Sequence, residues 1–181
     1  VSTVLLLGRL NRPTLALHSS NNPASLTARL GVTIDVEQNH VRFLGDLILN
    51  LWDCGGQDSF MSTYLTAQQQ TIFASVGVLI YVFEVKARDP ASDADYFRRI
   101  LAALRRFSPN ADVFLLVHKM DLAGAPGPDR AAAFDRKRGE ILRDVAAAAP
   151  GMSVQVFGTS IYDESLYRVR VAARAPLRAR A

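Results

Sequence analysis

Leu47-Ile48-Leu49-Asn50-Leu51-Trp52-Asp53-Cys54-Gly55-Gly56-Gln57 is an apolar run that closes on a carboxylate and is followed at once by two glycines and a glutamine. Leu47, Leu49 and Leu51 fall on one pleat face, Ile48 and Trp52 on the other, so the run predicts a strand buried on both sides. Asp53 then stands at the carboxyl end of that strand, where open α/β sheets bind their ligands. Gly55 and Gly56 carry no Cβ and let backbone come close to a bulky anion. A carboxylate in this place can reach a hydrated Mg²⁺, and a neighbouring Gln can orient a water, which is the layout of a phosphoryl-transfer site. The plainer alternative is a strand leaving its sheet through a Gly-Gly turn, with Asp53 capping a helix near Gln57.

Working outward from this strand, alternation of strand and helix recurs. Upstream, Val41-Arg42-Phe43-Leu44 and a Gly45-Asp46 turn predict an antiparallel hairpin with it, and Gly31 to Val36 precedes them. Thr33 lies before the hairpin, where a hydroxyl can ligate Mg²⁺ and an N–H can meet a terminal phosphate; β-propensity alone also accounts for it. Thr3 to Gly8 reads as a first buried strand, and Val76 to Phe83 as another that needs cover on both faces. Ser92 is the expected cap of the next helix, whose apolar face is Phe97, Ile100, Leu101, Leu104 and Phe107. Its arginines, Arg98, Arg99, Arg105 and Arg106, form a solvated face, since no aromatic platform for nucleic acid is interleaved with them.

Val113 to Val117 predicts a further strand, ending in His118-Lys119-Met120-Asp121. Asp121 is placed to accept two N–H donors from a guanine edge, with the stem of Lys119 against the base. A strand-end ion pair or a helix cap is the competing reading. A helix with Phe134, Ile141, Leu142 and Val145 on one face runs to Pro150-Gly151, and Val154 to Phe157 is a last strand. Gly158-Thr159-Ser160-Ile161 then turns, and Asp163 is expected to cap a short final helix.

Composition bounds the rest. A length of 181 residues with 49% apolar and 21% charged content suffices for one packed domain. The longest apolar run is too short to span a bilayer, and the first residues lack the basic start of a secretory signal. The single cysteine, Cys54, allows no intrachain disulfide and suits a reducing compartment. A chain opening on Val1 reads as a fragment or a processed product. The net charge of +4 is outweighed by five arginines between Arg168 and Arg180, so the body is close to neutral and residues 168–181 form a basic tail.

Thr33, Asp53, Asp121 and Ser160 all fall at strand ends, in that sequence order. Together with Leu30-Gly31-Val32-Thr33-Ile34-Asp35-Val36-Glu37, Asn50 to Asp58, His118-Lys119-Met120-Asp121 and Thr159-Ser160-Ile161-Tyr162-Asp163, this order resembles the Rag/Gtr family of small GTPases, A/B type, within the Ras-like superfamily. The likeness runs from about Leu30 to Tyr167. His before Lys119 and Cys after Asp53 are wording of that family.

The resemblance implies an α/β Ras-like P-loop NTPase fold: a six-stranded, mostly parallel sheet with helices on both faces, occupying residues 1–167. It implies GTP and GDP as ligands with Mg²⁺, GTP hydrolysis, and a switch that reports amino-acid sufficiency to the target-of-rapamycin complex. It further implies a heterodimer with a C/D-type Rag GTPase, a vacuolar or lysosomal scaffold, and a cytoplasmic chain at that membrane, with the nucleus as a second address. Contact with the membrane is indirect, and no nucleic-acid partner is expected. By the same resemblance, Thr33 and Asp53 hold Mg²⁺, Thr33 and Gly56 meet the γ-phosphate, and Gln57 orients the attacking water. Gly8 opens the phosphate-binding loop. His118, Lys119 and Asp121 form the guanine loop, and Ser160 and Ile161 line the base pocket.

Two departures accompany the likeness. A phosphate-binding loop needs Gly-x-x-x-x-Gly-Lys-Ser/Thr from Gly8, whereas the chain runs Gly8-Arg9-Leu10-Asn11-Arg12-Pro13-Thr14-Leu15, and residues 9–29 do not read as that loop and a first helix. Family members also carry a further dimerising domain, whereas this sequence ends soon after Tyr167. Loss of a Lys and a Mg²⁺-binding hydroxyl, at about 1.5 to 3 kcal/mol each, predicts nucleotide affinity weaker by roughly 10² to 10⁴-fold. A non-catalytic protein that only docks partners is therefore the second expectation, and a misassembled reading frame at both ends the third.

Overall fold

The computed structural model describes residues 2–8, 37–42, 48–53, 63, 65–163 and 165. Six strands form one sheet: β1 (Ser2–Gly8), β2 (Glu37–Arg42), β3 (Ile48–Asp53), β4 (Val76–Glu84), β5 (Asp112–His118) and β6 (Val154–Gly158). Their order across the sheet is β2-β3-β1-β4-β5-β6. Only β2 with β3 is antiparallel, in register Glu37 with Asp53 and Arg42 with Ile48. β3, β1, β4, β5 and β6 run parallel. The expected hairpin is thus present, and the residues between its arms lie outside those described.

Burial follows from the apolar runs. Leu5 and Leu7 of β1, Leu79, Tyr81 and Phe83 of β4, and Val113, Leu115 and Val117 of β5 alternate along their strands and join one core. Their neighbours on the other pleat face, Val4, Leu6, Val78, Val82, Phe114 and Leu116, are buried as well. A parallel sheet is stable in this state because neither face meets water. The resemblance implied helices on both faces; those among the described residues cover one.

The first face is covered by α1 (Gln69–Phe73), α2 (Pro90–Phe107) and α3 (Pro128–Ala148). Phe97, Ile100, Leu101 and Leu104 of α2 enter the core with 1% exposure or less, and Phe107 packs at its margin. At about 1.5 to 3 kcal/mol for each large apolar side chain, this face is what holds α2 to the sheet. The cap of α2 is Asp89 rather than Ser92: the Asp89 carboxylate accepts the Ser92 N–H at 3.0 Å. Pro90 at the first helical position, with its φ preset and no N–H to satisfy, moves the start there.

The α2 arginines are solvated, as their pattern predicted. Arg98 also reaches Asp144 of α3 at 3.0 Å, which ties the two helices together. In α3, Ile141 and Val145 are buried, whereas Leu142 is exposed. Three of the four predicted apolar residues set the face, with Phe134 packed at the core's margin, and Leu142 lies off it.

At the far end of α2, Ser108 joins three elements. Its Oγ accepts the Val76 N–H at 2.9 Å and donates to the Phe73 carbonyl at 2.8 Å. Both are backbone groups that burial would otherwise leave unsatisfied.

Candidate functional site at the carboxyl ends of the strands

Parallel pairing brings Gly8, Asp53, Glu84, His118 and Gly158 to the ends of their strands on one edge of the sheet. Asp53 is the last residue of β3, beside Leu6 of β1. Gly8 is the last residue of β1, beside Val82 of β4. A Cβ on Gly8 would sit 2.6 Å from the Val82 carbonyl oxygen, so only glycine fits this crossing. Thr33, Gly56 and Gln57 lie outside the described residues.

The loops after β5 and β6 are stitched to one another. The Thr159 N–H donates to the Val117 carbonyl at 2.9 Å, and the Met120 N–H donates to the Thr159 carbonyl at 3.1 Å. His118 is 1% exposed, and its Nδ1 lies 2.9 Å from Oγ1 of fully buried Thr159. His118 therefore links the two loops from below.

Lys119 turns the chain out of the sheet. Its backbone is left-handed, with φ 59° and ψ 39°, a conformation that costs a residue with a Cβ roughly 1 to 2 kcal/mol. The turn sends Met120 into the core and Asp121 to the open edge. The Lys119 ammonium pairs with Glu84 at the tip of β4. Glu84 was not anticipated; its signal was a lone charge closing the apolar run at a strand's carboxyl end.

Asp121 and Ser160 meet across the two loops. Ser160 Oγ donates to Asp121 Oδ1 at 2.6 Å, and the same hydroxyl accepts the Tyr162 N–H at 3.2 Å. Ser160 is the single hydrogen-bond partner of the Asp121 carboxylate among the described residues, so Oδ2 remains open to other donors. A carboxylate with one oxygen fixed and the other available suits a planar edge that offers adjacent N–H groups. Ile161 closes the loop beneath, 9% exposed.

Beyond Ile161, Asp163 accepts the Ser165 N–H at 3.0 Å; the course of the short final helix it was expected to cap lies outside the described residues. The other Asp163 oxygen takes Arg130 of α3 at 2.6 Å. Burial pushes the Asp163 carboxyl up, but hydrogen bonds from Ser165 and Arg130 outweigh it and hold the group below the usual carboxylate range. Arg130 carried no sequence signal, because nothing local marks a contact spanning 33 residues; Ser165, only two residues from Asp163, was not singled out.

No group of three or more His, Cys, Asp or Glu that could hold a metal occurs among the described residues. A separate cleft of about 320 Å³, bordered by Arg105, Asn110, Asp112 and Ser153, opens at the opposite edge, at the amino ends of β5 and β6. It is remote from the strand tips.

This is a parallel α/β fold with linked loops at its carboxyl edge, and it is similar to translation elongation factor SelB from Methanococcus maripaludis, solved with the GTP analogue GppNHp. The likeness has a TM-score of 0.67 at 12% identity, over 98% of this chain and 34% of that one. The chain belongs to the Gtr1/RagA family: residues 4–170 match the Gtr1/RagA G protein conserved region. It is 45% identical over 168 residues to Ras-related GTP-binding protein A of Dictyostelium discoideum, covering 91% of this chain and 54% of that protein. GTP-binding protein GTR1 of Saccharomyces cerevisiae is 43% identical over 168 residues, with 91% and 53% covered. Ras-related GTP-binding protein B of Rattus norvegicus is 46% identical over 156 residues, with 85% and 40% covered. The chain thus spans about half the length, or less, of the curated relatives it matches.

Proposed function

We propose that this chain binds a guanine nucleotide at the carboxyl edge of its sheet and acts as a switch of the Rag type. Asp121 accepts the N–H groups of the guanine edge, Ser160 fixes Asp121, Ile161 lines the base pocket, and the stem of Lys119 lies along the base. His118 holds the two base loops in register. Gly8 lets β1 end close to the nucleotide, and Gly56 offers its N–H to the terminal phosphate. Thr33 and Asp53 are the residues that would hold Mg²⁺, which supplies positive charge to the phosphates when bound; Gln57 orients the water for hydrolysis. The single observation behind this reading is the 2.6 Å bond between Ser160 and Asp121 at the tips of two adjacent parallel strands.

In this reading the whole protein pairs with a C/D-type Rag GTPase and reports amino-acid sufficiency to the target-of-rapamycin complex. It works in the cytoplasm, at a scaffold on the vacuolar or lysosomal surface, and also in the nucleus. Residues 1–167 form the nucleotide domain and residues 168–181 a basic tail. No helix among the described residues is long and apolar enough to cross a membrane.

A second reading, a partner-docking protein without catalysis, is favoured by one specific observation. The run from Gly8 to Leu15 has neither the Lys nor the following hydroxyl of a phosphate-binding loop. Titration with a fluorescent GTP analogue and Mg²⁺ separates the two. Saturable binding that raises the melting temperature supports the switch, since a ligand of the folded state alone must stabilise it. No binding at micromolar protein removes the switch and leaves docking.

A further inference from the structure

We propose that Arg130 and Asp163 are positioning residues for base recognition, holding from outside the pocket the loop that aims Asp121. The inference rests on the guanine-nucleotide reading above and adds two residues to it.

Asp121 is oriented by Ser160 Oγ, and Ser160 is in turn held through its main chain. The Ser160 N–H, in a residue with no exposed surface, donates to Ser165 Oγ at 2.9 Å. That hydroxyl passes its own hydrogen to Asp163 Oδ1, which also takes the Ser165 N–H. Asp163 Oδ2 then takes Arg130 at 2.6 Å. The carboxylate divides its two oxygens between the loop and the helix. The Arg130 side chain is 17% exposed and sits in the first turn of a 21-residue helix.

A carboxylate reads two donors only when its plane is fixed, and fixed neighbours lower the cost of ordering it at the moment of binding. Charge-assisted bonds at both oxygens make the Asp163 link stronger than a neutral contact of equal length. Arg130 also meets the charge of Asp163 directly, so the second acidic group of the loop is compensated. A tie that merely stabilised the fold would show in melting temperature and leave base preference unchanged.

The test uses the full chain, methylanthraniloyl-GDP as probe, and competition by GDP and by inosine diphosphate, whose base lacks the exocyclic amino donor. The expected result is that Arg130→Ala and Asp163→Asn each lower the preference for GDP over inosine diphosphate by about tenfold, that the double variant is no worse than either single one, and that Arg130→Lys recovers part of the loss. Arg98→Ala, which breaks the ion pair between the two helices at Asp144, lowers the melting temperature and leaves the preference intact. Preference retained within about twofold in Arg130→Ala overturns the proposal.

Amide hydrogen exchange supplies a readout without nucleotide. In Arg130→Ala the Ser160 amide should exchange faster, while the Met120 amide, bonded to Thr159, stays protected. If the unaltered chain binds no nucleotide, the guanine reading fails; unchanged exchange at Ser160 then overturns the brace itself.

Discussion

His118 and Thr159 meet through a 2.9 Å contact between an imidazole nitrogen and a hydroxyl, in a place that water does not reach. The loops after β5 and β6 are thereby joined by a side-chain bond in addition to two main-chain ones. His118→Ala leaves the Thr159 hydroxyl buried without this partner and is expected to cost about 1 to 3 kcal/mol. Urea unfolding of the variant beside Thr159→Val, which removes the hydroxyl instead, checks the assignment: His118→Ala should be the more destabilising.

Ser160→Ala removes the hydrogen bond that orients Asp121. A bond to a charged acceptor contributes about 1.5 to 3 kcal/mol, so guanine-nucleotide affinity should fall roughly 10- to 150-fold. Competitive titration against a fluorescent GDP analogue measures it. Asp121→Ala should abolish discrimination between guanine and adenine nucleotides.

Ser108→Ala is expected to destabilise by about 1 to 3 kcal/mol, because the Val76 N–H and the Phe73 carbonyl lose one shared partner. Denaturant midpoints with an unchanged slope would assign the loss to the folded state.

Gly8→Ala places a methyl 2.6 Å from the Val82 carbonyl oxygen and 2.9 Å from its Cβ. One obstacle is backbone, so strands β1 and β4 must separate. A loss of about 1 to 3 kcal/mol follows from overpacking, and the melting temperature should drop even without nucleotide, which sets this role apart from any contact with phosphate.

The Asp163 carboxyl titrates below its ordinary value, since Ser165 and Arg130 outweigh the effect of burial. A folded-state value lower than the unfolded one gives stability that is present above the unfolded pKa and lost as pH falls through the folded one. Asp163→Asn should therefore lower stability near neutral pH and flatten the decline in acid below about pH 4. Melting curves recorded from neutral to acid pH test the sign.

Much of this architecture was legible wherever one strand or helix carries its own signal. The continuous apolar runs of β1, β4 and β5 gave their places to within a residue or two, and the spacing of Phe97, Ile100, Leu101 and Leu104 gave the buried face of α2. The start of α2 was misplaced because a Pro-led first turn capped by Asp89 competes with the Ser92 pattern. Leu142 was misassigned because a helix touching the core along a narrow stripe leaves apolar residues in water. In the candidate site, the placing of Asp121 and Ser160 just past two strand ends could be read from the apolar runs before them. Glu84 and Arg130 could not, since their partners lie 35 and 33 residues away along the chain.

The strand order places β1, the earliest of these six strands along the chain, at an interior position between β3 and β4. Its two neighbours arrive some 40 to 70 residues later, so closing the sheet joins distant segments before local contacts can reward it. Val4 to Leu7 must therefore wait, sticky and unpaired, until the middle of the chain has emerged. The edge that carries the candidate pocket is complete only when β6 has docked, so ligand competence should lag behind the pairing of β1 with its neighbours.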